Sequence, residues 1–208
     1  MSLESSSQIR KRILAQCRNL SPETASSLSA EICSRFLKVS GLGEHLGSGR
    51  KGLSVALYRA LPGEVKLDVL EAVFQQLQWN LFYPRVVDKQ AIEFIQMSSS
   101  SAWAKGRFGI SEPHSELKVS VSLEDLGKHL DLVLVPGVAF GPNGERLGKG
   151  LGHYDRFLAH VPQALRVALA FDFQVLSGLE QNSWDQSVHW IITEKREVRA
   201  RNEGFILW

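Results

Sequence analysis

The chain has 208 residues, near the size of one ordinary domain, and its 44% hydrophobic and 22% charged residues exclude a wholly disordered or fibrous protein. Lysine and arginine number 24 against 22 acidic residues, and a formal charge of +2 supplies no broad basic field for nucleic acid. No apolar run approaches the ~18 residues of a membrane span. Met1 to Gln8 is serine-rich without a hydrophobic signal core, and Cys17 and Cys33 form neither a disulfide framework nor a CxxC zinc spacing. The expectations are a cytoplasmic, reduced setting, no membrane, no nucleic acid, and cysteines that act as small buried apolar residues.

The elements follow in chain order. Ile9, Ile13 and Leu14 sit at helical spacing among Arg10, Lys11 and Arg12. Ser21-Pro22-Glu23 starts a second helix with a hydroxyl cap, a first-turn proline and an acid at the positive end; that helix runs to about Leu37. Gly41, Gly43, Gly47, Gly49 and Gly52 mark a surface connection. Leu53 to Tyr58 is a buried strand, Leu67, Leu70, Phe74 and Leu77 a helix, and Leu81 to Tyr83 a short strand. Ile92, Phe94 and Ile95 form a strand, and Ser98 to Ser101 a solvated turn. Asp131 to Val135 is an apolar strand stopped by Pro136-Gly137. Tyr154, Phe157, Leu158 and Val161 give a helix ended at Pro162. Arg166 to Phe171, Val188 to Thr193 and Phe205 to Trp208 complete the strands. Alternating strands and helices predict one α/β domain over residues 1–208, with a mainly parallel sheet flanked by helices on both faces. The mixed-charge run from Glu194 to Glu203 reads as a solvated face.

Glycine is unevenly spread. Of 17 glycines, six (Gly137, Gly141, Gly144, Gly148, Gly150, Gly152) fall within the 16 residues 137–152, between the strand ending at Val135 and the helix beginning near His153. Strand, glycine-rich turn and helix form an anion site in α/β proteins: amide groups approach without a Cβ in the way, and the helix N-terminus adds partial positive charge. Arg146 and Lys149 lie inside the turn. Gly144 to Gly148 encloses three residues, not the four of a Walker loop, and Gly148-Lys149-Gly150-Leu151-Gly152 is GxGxG, not GxGxxG. The pattern therefore leaves the anion unspecified and a glycine turn without ligand as the alternative. Asp155 is equally a helix-favourable acid in a first turn and a carboxylate for Mg²⁺ opposite phosphates.

The stretch Val135-Pro136-Gly137-Val138-Ala139-Phe140, continued by Gly144-Glu145-Arg146-Leu147-Gly148-Lys149-Gly150-Leu151-Gly152-His153-Tyr154-Asp155-Arg156-Phe157-Leu158, closely resembles the signature PGxAFDxxGxRLGxGxGYYDRFL of 5-formyltetrahydrofolate cyclo-ligases. Tyr58 to Val65, Pro84-Arg85-Val86, Gly109 to Pro113 and Asp185 with Ile192-Thr193-Glu194 resemble further family segments in the same order. The resemblance implies an ATP- and Mg²⁺-dependent ligase that converts 5-formyltetrahydrofolate to 5,10-methenyltetrahydrofolate, releasing ADP and phosphate. ATP phosphorylates the formyl oxygen and N10 then attacks the activated carbon. Such chemistry needs an anion cradle, a metal and positioning more than a protein nucleophile. By resemblance, Arg146, Leu147, Gly148, Lys149, Gly150, Leu151, Gly152, His153 and Tyr154 contact ATP, with Arg146 and Lys149 as the catalytic cations and Arg10 reaching the nucleotide from the N-terminal segment. Asp155 and Asp185 match magnesium-linked acids. Arg59, Glu64 and Tyr154 fall on the folate side, where Glu64 can pair with pterin N–H donors.

Four departures from the family pattern stand out. Gly141 replaces an Asp, His153 replaces the first Tyr of YYD, Trp184 and His189 take polar positions near Asp185, and the N-terminal lysine slot falls on Ser6, with Lys11 and Lys105 as substitutes. Two other functions compete: a non-catalytic folate- or nucleotide-binding relative, and a small-molecule kinase using the same loop. The expected partner is the small-molecule folate, and the expected state a monomer.

Overall fold

The computed structural model describes residues 4–39, 46, 51–88, 91–98, 103–106, 111–117 and 122–200. The glycines at 41, 43, 47 and 49, most of the serine turn, residues 109–110 and 201–203, and the strand expected over 205–208 lie outside the described residues.

The first helices start at their caps. In α1 (Ser6–Asn19), the Ser5 hydroxyl accepts from Gln8 N while Gln8 Oε1 accepts from Ser5 N at 2.8 Å, a reciprocal capping box. In α2 (Pro22–Lys38), Ser21 accepts from Thr24 N at 3.1 Å, and Pro22 fills the first turn where no N–H partner is needed. Strand β1 (Ser54–Ala56) leads through α3 (Asp68–Gln76) to β2 (Asn80–Val86), which turns back as β3 (Ile92–Met97). A small ribbon of β4 (Trp103–Lys105) and β5 (Ser111–Pro113) precedes α4 (Leu123–His129) and β6 (Leu132–Leu134). A second ribbon, β7 (Ala139–Phe140) with β8 (Arg146–Leu147), comes before α5 (His153–Ala159), β9 (Leu165–Leu169), β10 (Trp190–Ile192) and β11 (Glu197–Arg199).

One seven-stranded sheet forms in the order β11-β10-β9-β6-β1-β2-β3. Its five central strands run parallel, while β3 and β11 pair antiparallel at the two edges. The expected mainly parallel α/β sheet is therefore present. Strand β2 is longer than its predicted Leu81–Tyr83. Its pairing with β1 ends at Phe82, so Pro84 lies beyond β1, where its missing N–H costs no bond to that neighbour.

Period-two alternation assigns side chains to two layers. Val55, Leu57, Leu132, Leu134, Leu165 and Val167 pack on one face with Ile32, Phe36, Leu70 and Phe74 of α2 and α3. Ala56, Val133, Val135 and Ala168 pack on the other with Leu126 of α4 and Phe157 and Leu158 of α5. Phe94 and Phe157 stack there at 4.1 Å. Burying a ring such as Phe157 contributes about 1.5–3 kcal/mol.

The chain leaves β1 toward β2 and leaves β6 toward β9, in opposite directions along the sheet. The connecting helices α3 and α5 lie on opposite faces, as right-handed crossovers require. A crevice opens where the strand order reverses, beyond the carboxyl ends of β1 and β6.

The glycine segment does not run straight from strand to helix as expected. Gly137, Gly141 and Gly144 belong to the β7–β8 ribbon, and only Gly148, Gly150 and Gly152 lead into α5. Two-residue strands are too short to show a period. The ribbon serves as a shelf for α1: Ile9, Ile13 and Cys17 pack on Val138, Ala139, Leu147 and Leu179.

Candidate functional site

A cleft of about 900 Å³ occupies that crevice. Its walls come from α1, the segment after β1, the loop from β8 to α5, the first turn of α5 and the turn carrying Asp185. Every residue expected to bind nucleotide, folate or metal lines it: Arg10, Arg59, Glu64, the run from Arg146 to Asp155, and Asp185. Ser6 lines it too, whereas neither Lys11 nor Lys105 is among the lining residues.

The loop is tied down at two points. Arg10 Nε donates to Gly148 O at 2.8 Å, fastening the loop to α1. Lys149 Nζ donates to Glu64 Oε1 at 2.6 Å, crossing the cleft, while Glu64 Oε2 accepts from Leu61 N at 2.9 Å. The cation expected on the phosphate side and the carboxylate expected on the folate side thus meet directly.

Beneath the loop, the Arg146 side chain is only 3% exposed. Its Nη2 donates to Asp155 Oδ1, which also accepts from Gln186 N at 3.2 Å. Arg146 is therefore a buried cation whose charge Asp155 offsets, not a mobile cation of the turn. Arg59 is similarly engaged. Its guanidinium forks onto Glu71 at 2.9 and 3.2 Å and stacks 4.0 Å over the Trp103 ring.

Tyr154 points to a ligand. Its hydroxyl is buried and has no hydrogen-bond partner among the described residues. Burial, and secondarily the negative charge of Glu64, push its ionisation far up, so it keeps its proton throughout the physiological range. An orphaned donor in a cleft wall is the kind of group a ligand satisfies.

The acids fit a magnesium ion in part. On Asp155 the two bonds fall on Oδ1, and on Asp185 both fall on Oδ2, from Asn182 N at 2.7 Å and Asn182 Nδ2 at 3.1 Å. Each carboxylate keeps one oxygen without a donor among the described residues. Among the described residues no cluster of three or more acidic, histidine or cysteine side chains forms a metal cage. Two carboxylate oxygens suit an ion that takes its remaining ligands from phosphates and water.

The departures acquire physical content. A Cβ at Gly141 would lie 2.2 Å from Glu145 Oε2, because the Glu145 carboxylate fills that space and accepts from Asn143 N at 2.9 Å and Asn143 Nδ2 at 3.0 Å. Gly141 does not line the cleft. The space a side chain at 141 would need is held by the Glu145 carboxylate. His189 Nδ1 accepts from Arg166 N at 3.0 Å and so fastens β9 to the segment before β10. Trp184 is 68% exposed at the cleft wall. Cys17 and Cys33 are free and buried, as expected. No helix among the described residues is long and apolar enough to cross a membrane.

Sequence reasoning passed over Arg166 and Gln186. The Arg166 side chain is buried on β9 and donates to Gln186 Oε1 at 3.1 Å and to Leu158 O at 2.8 Å. The signal was present, since a charged residue within the all-buried strand Leu165–Leu169 requires a partner.

Comparison with known proteins extends over the whole fold. Residues 2–194 match the profile of the 5-formyltetrahydrofolate cyclo-ligase family. The chain is 28% identical over 214 residues to a 5-formyltetrahydrofolate cyclo-ligase of Mycolicibacterium smegmatis, covering 96% of this chain and 99% of that one. An NMR structure of the Aquifex aeolicus 5,10-methenyltetrahydrofolate synthetase superposes with a TM-score of 0.77 at 33% identity, covering 98% of this chain and 96% of that one. A 5,10-methenyltetrahydrofolate synthetase from Mycoplasma pneumoniae shares the fold with a TM-score of 0.69 at 23% identity, over 92% of this chain and 99% of that one.

Proposed function

The chain belongs to the 5-formyltetrahydrofolate cyclo-ligase family, a family of enzymes, and from that premise we propose that it converts 5-formyltetrahydrofolate and ATP into 5,10-methenyltetrahydrofolate, ADP and phosphate. The observation that carries the reading is the 2.6 Å contact of Lys149 with Glu64. The reaction requires a nucleotide's terminal phosphoryl group to meet the formyl oxygen, and these two side chains are the cation and the carboxylate suited to the two partners.

In this reading the formyl oxygen forms a bond to the terminal phosphorus as the bond to ADP breaks. The lone pair of N10 then attacks the formyl carbon, phosphate leaves with the C–O electrons, and N10 loses its proton. The chain contributes position and charge. Lys149 exchanges Glu64 for the transferring phosphoryl oxygens. Arg10 holds the loop through Gly148 O, and buried Arg146 fixes Asp155. Freed from Lys149, Glu64 accepts pterin N–H donors, and the Tyr154 hydroxyl gives its unused bond to ligand. Magnesium on the free oxygens of Asp155 and Asp185 would neutralise phosphate charge.

The test is the appearance of the methenyl product's absorbance with 5-formyltetrahydrofolate, ATP and Mg²⁺, together with free phosphate. Arg146→Ala and Asp155→Ala are expected to lower the rate at least 100-fold, in line with loss of preorganised charge. Absence of turnover with intact folate and MgATP refutes the proposal. Transfer of phosphate to a stable product would instead identify a kinase.

A further inference from the structure

Resting on that functional reading, we infer that Arg166 is a positioning residue which sets the spacing of Asp155 and Asp185, the two acids suited to the nucleotide's magnesium ion.

The geometry runs through one guanidinium. Arg166 sits on β9, the strand between β6 and β10, where the backbone is paired on both sides. Its Nη2 donates to Leu158 O, on the helix whose first turn carries Asp155. Its Nη1 donates to Gln186 Oε1, on the turn that carries Asp185. The two attachment points are themselves joined, because Gln186 N donates to Asp155 Oδ1. The backbone around Arg166 holds the same turn: Arg166 N donates to His189 Nδ1, and His189 N donates to Arg166 O at 2.8 Å. One side chain rooted in the sheet therefore spans the helix of one acid and the turn of the other.

Folding alone does not account for an arginine here. Among the described residues no carboxylate pairs with it and its Nε has no partner. Burial, and then the nearby charge of Arg146, make its protonated form harder to keep than that of an ordinary arginine. A buried charge without a counter-ion is costly, and an apolar residue at this position would pack at lower cost. Arg146 pairs with Asp155, and Arg166 lies close enough to Arg146 to feel its charge.

A role confined to stability and a role in positioning the acids separate in a titration. ADP binding is measured by calorimetry with Mg²⁺ and with EDTA, and 5-formyltetrahydrofolate binding is measured alongside. In Arg166→Met the affinity for MgADP is expected to fall about tenfold, as for other partners that orient metal ligands. Affinity for metal-free ADP and for the folate is expected to change less than twofold. Arg166→Lys restores one of the two bonds and is expected to recover part of the magnesium increment. Gln186→Leu leaves the arginine in place with only its longer 3.5 Å bond to Ser187 O on the turn, removes the side-chain acceptor, and is expected to lose most of the increment as well, which keeps the test decisive if Arg166→Met folds poorly. Equal losses for ADP with and without Mg²⁺, or no loss in either, overturn the inference. A parent chain whose ADP affinity ignores Mg²⁺ overturns the metal assignment of the two acids and this inference with it.

Discussion

The contact between Lys149 and Glu64 makes an unusual prediction: removing the carboxylate should improve nucleotide binding. Lys149 Nζ lies 2.6 Å from Glu64 Oε1, so a phosphate that takes the lysine must displace that partner. Lys149 is 39% exposed and Glu64 12%. A charge pair near a surface gains about 4 kcal/mol in Coulomb energy at 4 Å and an effective dielectric constant of 20. Desolvation, side-chain ordering and screening reduce the net for a half-exposed lysine to about 1 kcal/mol. Glu64→Gln removes this competitor, so ADP affinity should rise about fivefold, since 1.36 kcal/mol is a factor of ten. Calorimetric titration of ADP into both chains measures it. In a Lys149→Met background the gain from Glu64→Gln should fall below twofold, which separates release of the lysine from simple repulsion between Glu64 and phosphate. By linkage, bound nucleotide should raise the affinity for 5-formyltetrahydrofolate by the same factor of about five, through the freed carboxylate. An ADP affinity that is unchanged or lower in Glu64→Gln refutes the reasoning.

The remaining predictions concern the fold around the cleft. Gly144 has φ +92° and a Cβ there would stand 2.2 Å from Val188 O, so Gly144→Ala should cost more than about 2 kcal/mol, whereas Gly150, with φ +98° and nothing within 4 Å, should lose only about 1 kcal/mol of left-handed strain as Ala. Urea midpoints at unchanged slope compare the two, and equal losses would refute the role given to Val188 O. Gly141→Asp should cost about 1–2 kcal/mol, because it sets a second carboxylate against Glu145, and Glu145→Ala in the same chain should recover most of that loss, a non-additivity read from thermal melts. Burial pushes the Cys33 thiol up to about 11 from 9.0, which favours the neutral form in the fold. Its contribution is therefore complete below pH 9 and is lost as pH rises toward 11, by about 2–3 kcal/mol, and Cys33→Ala should flatten that part of an alkaline denaturation series.

The helices and the sheet were legible because their signals are local. Ser21-Pro22-Glu23 and the helical spacing of Ile9 and Ile13 mark the first helices, and the apolar run from Asp131 to Val135 stopped by Pro136-Gly137 marks a buried strand without knowledge of any neighbour. The β7–β8 hairpin was not legible, since two residues per strand carry no period and its turn looks like more of the same glycine-rich loop. Gly141 was the clue: Glu145 sits where a side chain at 141 would go. That is a fact of close approach, invisible until the hairpin is known. Within the site, residue types were legible but pairings were not. Lys149 and Glu64 are separated by 85 positions, and Arg10 and Gly148 by 138. Only the reversal of strand order between β1 and β6 brings them to one crevice.

The pairings alter what the glycine cluster means. Read as sequence, Arg146 and Lys149 are two like cations in one flexible turn. In the structure they differ in kind. Arg146 is on a strand, buried, and offset by Asp155, so its charge is held in place by the fold and, in the proposed reaction, would need no reorganisation. Lys149 lies between Gly148 and Gly150, is partly exposed, and holds a carboxylate that a phosphate can replace. The six glycines divide along the same line. Three belong to the hairpin that carries Arg146, and three lie in the loop that bears Lys149 and enters α5. A fixed cation beneath and an exchangeable one above form a site that is preorganised at its floor and responsive at its mouth. The proposed reaction, which brings two substrates together before a phosphoryl group moves, would draw on both halves of that division.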